Sequence, residues 1–127
     1  MRRFILALFL IVALTGCTSI TRLTDCRGVK VEDGLTPVEV VDIYNSNWLF
    51  LSWLPIASGD PDCPDEVTAV PFRNTVTLEN QIKMLEREVN RCGAKKAINV
   101  MSTTTDESAV FFLLMREKYH TTAVLVK

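Results

Sequence analysis

The sequence predicts an α+β domain in which a small, mostly antiparallel sheet carries one main helix packed on one face. Three observations predict it. A stretch from about Val76 to Cys92 places apolar residues at helical spacing. Two other stretches, 38–44 and 119–126, are β-branched and alternate as strands do. The helical stretch is followed by more strand candidates and by no second helix, an order that suits helix and strands segregated in two layers.

The elements follow in chain order. Val38-Glu39-Val40-Val41-Asp42-Ile43-Tyr44 reads as a strand and Asn45-Ser46-Asn47 as a turn. Trp48 to Ile56 is almost wholly apolar, broken only by Ser52 and Pro55, and Ser58 to Glu66 carries every local signal of a loop. In the helix, Leu78, Ile82, Leu85, Val89 and Cys92 fall on one face, which is expected to be the buried one. Thr75 or Thr77 can cap its start, Glu79 suits the positive end of its dipole, and Gly93 can take the left-handed conformation that ends it. Ala97 to Met101 is a short strand candidate, Ser102 to Ser108 a polar turn, Ala109 to Met115 an apolar strand and Tyr119 to Val126 the closing strand. Residues 18 to about 36 are rich in Thr, Asp, Gly and charge without periodicity, and read as a tether.

The N-terminus has a different character. Met1-Arg2-Arg3 is a positive cluster, and Phe4 to Leu14 is an unbroken apolar run of 11 residues. That is the n-region and h-region of a signal peptide, too short for the ~20 residues that span a bilayer core. It ends in Leu14-Thr15-Gly16-Cys17, which resembles the lipobox of bacterial lipoprotein precursors at all four positions. The resemblance implies a diacylglyceryl thioether on Cys17, cleavage between Gly16 and Cys17, and acylation of the new amino group, for instance by palmitate. Thr18 stands where an Asp would imply retention in the inner membrane, so the same resemblance implies the outer membrane, facing the periplasm. Residues 1–16 are then a cleaved signal peptide, 17–36 a lipidated tether and 37–127 a single domain.

Cleavage removes Arg2 and Arg3 from the 14 basic residues, leaving 12 against 15 acidic ones and a net charge of −3. A mildly acidic chain has no electrostatic footprint for nucleic acid. About 110 residues make one domain with a modest core.

Asn45-Ser46-Asn47-Trp48-Leu49-Phe50, then Pro55 and Ser58-Gly59-Asp60, then the helix closed by Cys92-Gly93-Ala94, then Ile98-Asn99-Val100 and Thr122-Ala123-Val124, form a series that resembles a group of small uncharacterised envelope lipoproteins. The likeness covers roughly residues 37 to 127. It implies a small α+β domain and no particular activity.

Three cysteines follow Cys17, and an oxidising envelope favours a disulfide among them. If the strand at 38–44 runs one way and the helix returns antiparallel across it, Cys92 lies near the strand's start, where Cys26 could reach it. Cys26 with Cys92 is therefore the expected pair, leaving Cys63 free in an acidic loop, with a buried, unbridged Cys92 as the alternative. Cys26, Cys63, Cys92 and His120 lack the close cysteine pair of structural zinc sites. Asp60, Asp62, Asp65 and Glu66 supply oxygens of the kind calcium takes, but two prolines interrupt them and the glycine comes first, so a solvated loop is expected. No phosphate-binding glycine loop or nucleophile elbow is present, and with one histidine the chain is expected to be no enzyme and to hold no cofactor.

The remaining functional candidates are two apolar runs, Trp48 to Leu54 and Val110 to Met115. Both are denser in aromatic and long aliphatic residues than a one-sided sheet requires. Packed under the helix they are core; facing outward, Trp48, Phe50 and Trp53 would form a patch for an envelope protein partner or a membrane interface. The function these observations support is a non-catalytic binding or structural module on a lipid anchor, the alternative being a metal or thiol site at Cys63 and the loop Asp60 to Glu66.

Overall fold

The computed structural model describes residues 16–32, 34–66, 68–110 and 113–127. Six strands, β1 Thr18–Leu23, β2 Pro37–Phe50, β3 Leu54–Gly59, β4 Ala69–Pro71, β5 Lys96–Val110 and β6 Leu114–Val126, form one sheet, and the helix α1 Leu78–Cys92 joins β4 to β5. Every strand pair is antiparallel. The α+β expectation of one helix on an antiparallel sheet is met.

β2 is the centre of the architecture because its 14 residues are long enough to serve two partners along one edge. β6 pairs with it from Pro37 to Phe50. On the other edge, β1 takes Val40 to Asn45 and β3 takes Asn47 to Phe50. β1 and β3 thus run end to end, and the strand order is β4-β3-β2-β6-β5 with β1 in line with β3.

Alternation along β2 and β6 turns Val41, Ile43, Ala123 and Leu125 toward α1, which contributes Met84 and Leu85, while Ile20 of β1 closes the cluster. Val89, Cys92, Ala94 and Ala97 pack at its margin. α1 is capped as expected at both ends. Thr77 accepts from the Asn80 amide at 3.3 Å, and Gly93 sits at φ 64° with its amide on the Asn90 carbonyl.

Several expectations are corrected. The tether is one: Thr18–Leu23 is a strand, hidden in the sequence because Ile20 is its sole buried apolar side chain, beside the buried Thr18. Asn45-Ser46-Asn47 is no turn but the fully buried middle of β2. The reversal comes later, at Leu51 and Ser52, whose φ values of 52° and 64° make the tight turn into β3. Ser102 to Ser108 is likewise strand, paired with β6 from Thr121 to Met115, because an edge strand with both faces open tolerates Ser, Thr and Asp. β4 had no sequence signal.

The helix is also rotated from its expected setting. Gln81, Met84, Leu85 and Glu88 are buried, whereas Leu78 is 53% and Ile82 47% exposed. Hydrophobic spacing misjudged this face because two polar side chains find partners inside. Gln81 Nε2 donates to the Tyr119 carbonyl at 3.5 Å, and Glu88 takes a two-pronged bond from Arg22 at 2.8 and 2.9 Å. Arg91 joins Glu88 at 2.7 Å and also pairs with Glu39, so four charges cross the rim of the core as one network.

Candidate functional site

The first feature of the site is the seam where β1 and β3 meet on the edge of β2. Cys17 precedes β1 directly. Its amide donates to Ser46 Oγ at 3.2 Å, and the Ser46 amide donates to the Cys17 carbonyl at 2.9 Å. Thr18 is buried on the face that carries α1, against Gly59, and donates from Oγ1 to Asn45 Oδ1 at 3.0 Å. Strand alternation then puts the exposed Cys17 on the opposite face, with Ser19, Tyr44 and Ser46.

The seam is held by polar groups. Asn45 Nδ2 donates to the Thr75 carbonyl at 3.0 Å, and Asn47 Nδ2 donates to Asn74 and Glu117 at 2.9 and 3.1 Å. Ser58 Oγ donates to the Arg73 carbonyl and Thr75 Oγ1 to the Gly59 carbonyl, both at 2.6 Å. Only glycine fits at 59, since a Cβ there would lie 2.1 Å from Thr18 Oγ1 and 2.6 Å from the Cys17 carbonyl carbon. These bonds satisfy most of a row of polar side chains that burial would otherwise penalise, Asn47 Oδ1 alone in that row being left without a partner.

The second feature is the end of the sheet beyond the helix. Phe50 pairs with Leu114 and Leu49 with Met115, so the two apolar runs of the sequence arrive at one place. The Leu51 amide closes the junction on the Leu113 carbonyl at 3.0 Å. Here Trp53 is 70% exposed and Phe50 and Leu113 are each 41%, with Leu51 and Leu54 open beside them. These side chains are surface, not core, because β2 and β6 outrun the 15-residue helix that covers their other half. Phe111 and Phe112, in the same run, lie outside the described residues.

The face turned away from α1 carries a charged row that runs past the seam on both sides. Arg116 sets its guanidinium 5.6 Å from the Trp48 ring centroid and donates to Ser46 Oγ at 3.3 Å. Lys118 pairs with Glu107 at 2.5 Å, and His120 Nε2 lies 2.5 Å from Asp42 Oδ1, edge-on to Tyr44. Trp48 is thus half-buried under a cation, while Phe50 and Trp53 are open.

The other candidates are not brought together. All four cysteines are free, so the expected Cys26–Cys92 bond is not formed. The topology does carry both toward one end of the sheet, but Cys92 is turned in among the core residues, its thiol on the Val89 carbonyl at 3.7 Å. The acidic loop disperses its carboxylates onto cations and amides. Asp62 pairs with Arg87 at 2.5 Å, while Asp65 accepts from the Ile20 amide at 2.8 Å and meets Arg22 at 3.1 Å. Asp65 thereby caps the free edge of β1. Desolvation, and then the charges of Asp60, Glu66 and Asp62, push the Cys63 thiol up, against a reactive thiolate. Among the described residues no three or more His, Cys, Asp or Glu side chains are grouped to hold a metal ion.

With Cys17 placed, its sequence context decides the chemistry there. Residues 1–18 match the family model of the prokaryotic membrane lipoprotein lipid attachment site. The chain is a bacterial lipoprotein precursor. The protein is accordingly a lipid-anchored protein of the bacterial envelope; Cys17 is the one cysteine among the matched residues, and residues 1–15, which hold nearly all of the expected signal peptide, lie outside the described residues. No curated protein and no solved structure matches the chain, so the likeness of residues 37 to 127 to small envelope lipoproteins gains no support. No described helix is long and apolar enough to cross a membrane.

Proposed function

We propose that this lipoprotein is a non-catalytic docking module, held at the periplasmic face of the outer membrane, that works through the apolar end of its sheet. One observation carries the reading: two apolar runs distant in sequence converge at that end and leave Trp53 70% exposed. Scattered exposed apolar residues are ordinary on a protein surface, but a contiguous cluster of Trp, Phe and Leu is the composition of an interface. A structural requirement does not explain it, because Phe50, Trp53 and Leu54 stand clear of the cluster formed by Val41, Ile43, Met84 and Leu125.

Oxidative footprinting tests the reading on the full-length lipidated protein. Trp53 labels more slowly in intact envelopes than in detergent-solubilised protein if the sheet end is docked. Equal labelling in both would sink it. Density separation of inner and outer membranes tests the location; recovery with the inner membrane would overturn that part.

A further inference from the structure

The docking reading leaves the occupant of the apolar end open. Resting on that reading, we propose that the occupant is the lipid bilayer to which Cys17 is itself attached, and that the half-sheet from the seam to Trp53 lies on the headgroup region as a second contact beside the acyl chains.

The geometry of the anchor carries the argument. β1 begins at Thr18, so no flexible spacer separates the lipidated residue from the sheet. The Cys17 backbone is bonded to Ser46 in both directions, which fixes where the thioether leaves the protein. It leaves on the face opposite α1, the face that also carries Ser46, Trp48 and Phe50 of β2. From Ser46 to Phe50 the strand advances only about 14 Å at the usual rise per residue. A bilayer held at Cys17 by a short thioether and glycerol linkage is therefore within reach of the apolar end, on the same side of the sheet.

The residues suit that surface. Trp and Phe favour the membrane–water interface, and Trp53, Phe50, Leu51, Leu54 and Leu113 are open to it. Between anchor and end, Arg116 and Lys118 share Glu107, leaving one cation in excess where lipid phosphates would stand. The acidic loop is tied elsewhere, Asp62 to Arg87 of α1 and Asp65 to Arg22 beside Glu88. A net-acidic protein thus turns its aromatic end and the cations Arg116 and Lys118 toward its own anchor.

The chain has two tryptophans, and fluorescence can read them separately. The mature lipidated protein is reconstituted in phosphatidylethanolamine and phosphatidylglycerol vesicles with and without brominated acyl chains, as wild type, Trp48→Phe and Trp53→Phe. In Trp48→Phe, emission from Trp53 is blue-shifted and roughly halved by the brominated lipid, as for a side chain at the acyl boundary. Arg116→Glu weakens that quenching. Unquenched emission from the wild type and from Trp48→Phe would overturn the proposal. If Trp53 were then still protected in envelopes, docking would stand with a protein as occupant; if exposed in both settings, both readings fall.

Discussion

Thr18 and Asn45 face each other across the first rung of β1 and β2, and the Thr18 hydroxyl donates to Asn45 Oδ1 at 3.0 Å. The residue next to Cys17 is therefore part of the folded interior. Asn45 also donates to the Thr75 carbonyl, so it joins β1 to the segment that leads into α1. Asn45→Ala takes the acceptor from the buried Thr18 hydroxyl, while the Thr75 carbonyl keeps the Thr77 amide and the Asn80 side chain, and is expected to cost about 1–2 kcal/mol, read as a lower midpoint in urea unfolding. A change below ~0.5 kcal/mol would show that water replaces the asparagine.

Gly59→Ala should act on β1 specifically. The added methyl group meets Thr18 Oγ1 and the Cys17 backbone, which are on one strand, while Gly59 is held on another by the Thr75 hydroxyl. The expected outcome is faster amide hydrogen exchange at Ser19 and Thr21, which alternation turns toward β2, with exchange at Ile43 and Leu125 little changed. Uniform acceleration would mean that β1 is inseparable from the rest of the sheet.

Glu88 should make stability depend on acid. Burial alone would raise its carboxyl, but hydrogen bonds from Arg22 and Arg91 outweigh this and hold it below the usual 4.5. A lowered pKa contributes stability above the unfolded value, and that contribution is lost as pH falls through the native one. Glu88→Gln is expected to cost about 1–3 kcal/mol at pH 7 and to flatten the fall in stability below pH 4.5. Parallel pH profiles for variant and wild type would refute the assignment.

Cys63 is expected to alkylate slowly for an exposed thiol. Asp60→Asn removes one of the charges that raise it and should speed iodoacetamide labelling at pH 8 by roughly twofold. An unchanged rate would indicate that desolvation alone sets its reactivity.

Some of this protein could be read from residues alone. The positive cluster, apolar run and Leu14-Thr15-Gly16-Cys17 specify export and lipid attachment because processing enzymes read the local chain before it folds. The helix ends were also legible, since Thr77 and Gly93 act on amides and carbonyls within a few residues. The strand at the heart of the domain was found through its β-branched first half and cut short at Asn45.

What only tertiary structure decided depends on partners far away in sequence. Asn45, Ser46 and Asn47 look like a turn until Thr18, Thr75, Asn74 and Glu117 supply their hydrogen bonds. Gln81 and Glu88 look exposed until Tyr119 and Arg22 receive them. Thr18–Leu23 looks like a tether until β2 offers a free edge. The apolar runs around Trp53 and Leu113 have the composition of core, and become surface because β2 and β6 extend past the helix that would cover them. Local chemistry marked Cys17 for lipid attachment; the pairing of that residue with Ser46 determined on which face of the sheet it emerges, and the length of one strand determined that the apolar end stays uncovered.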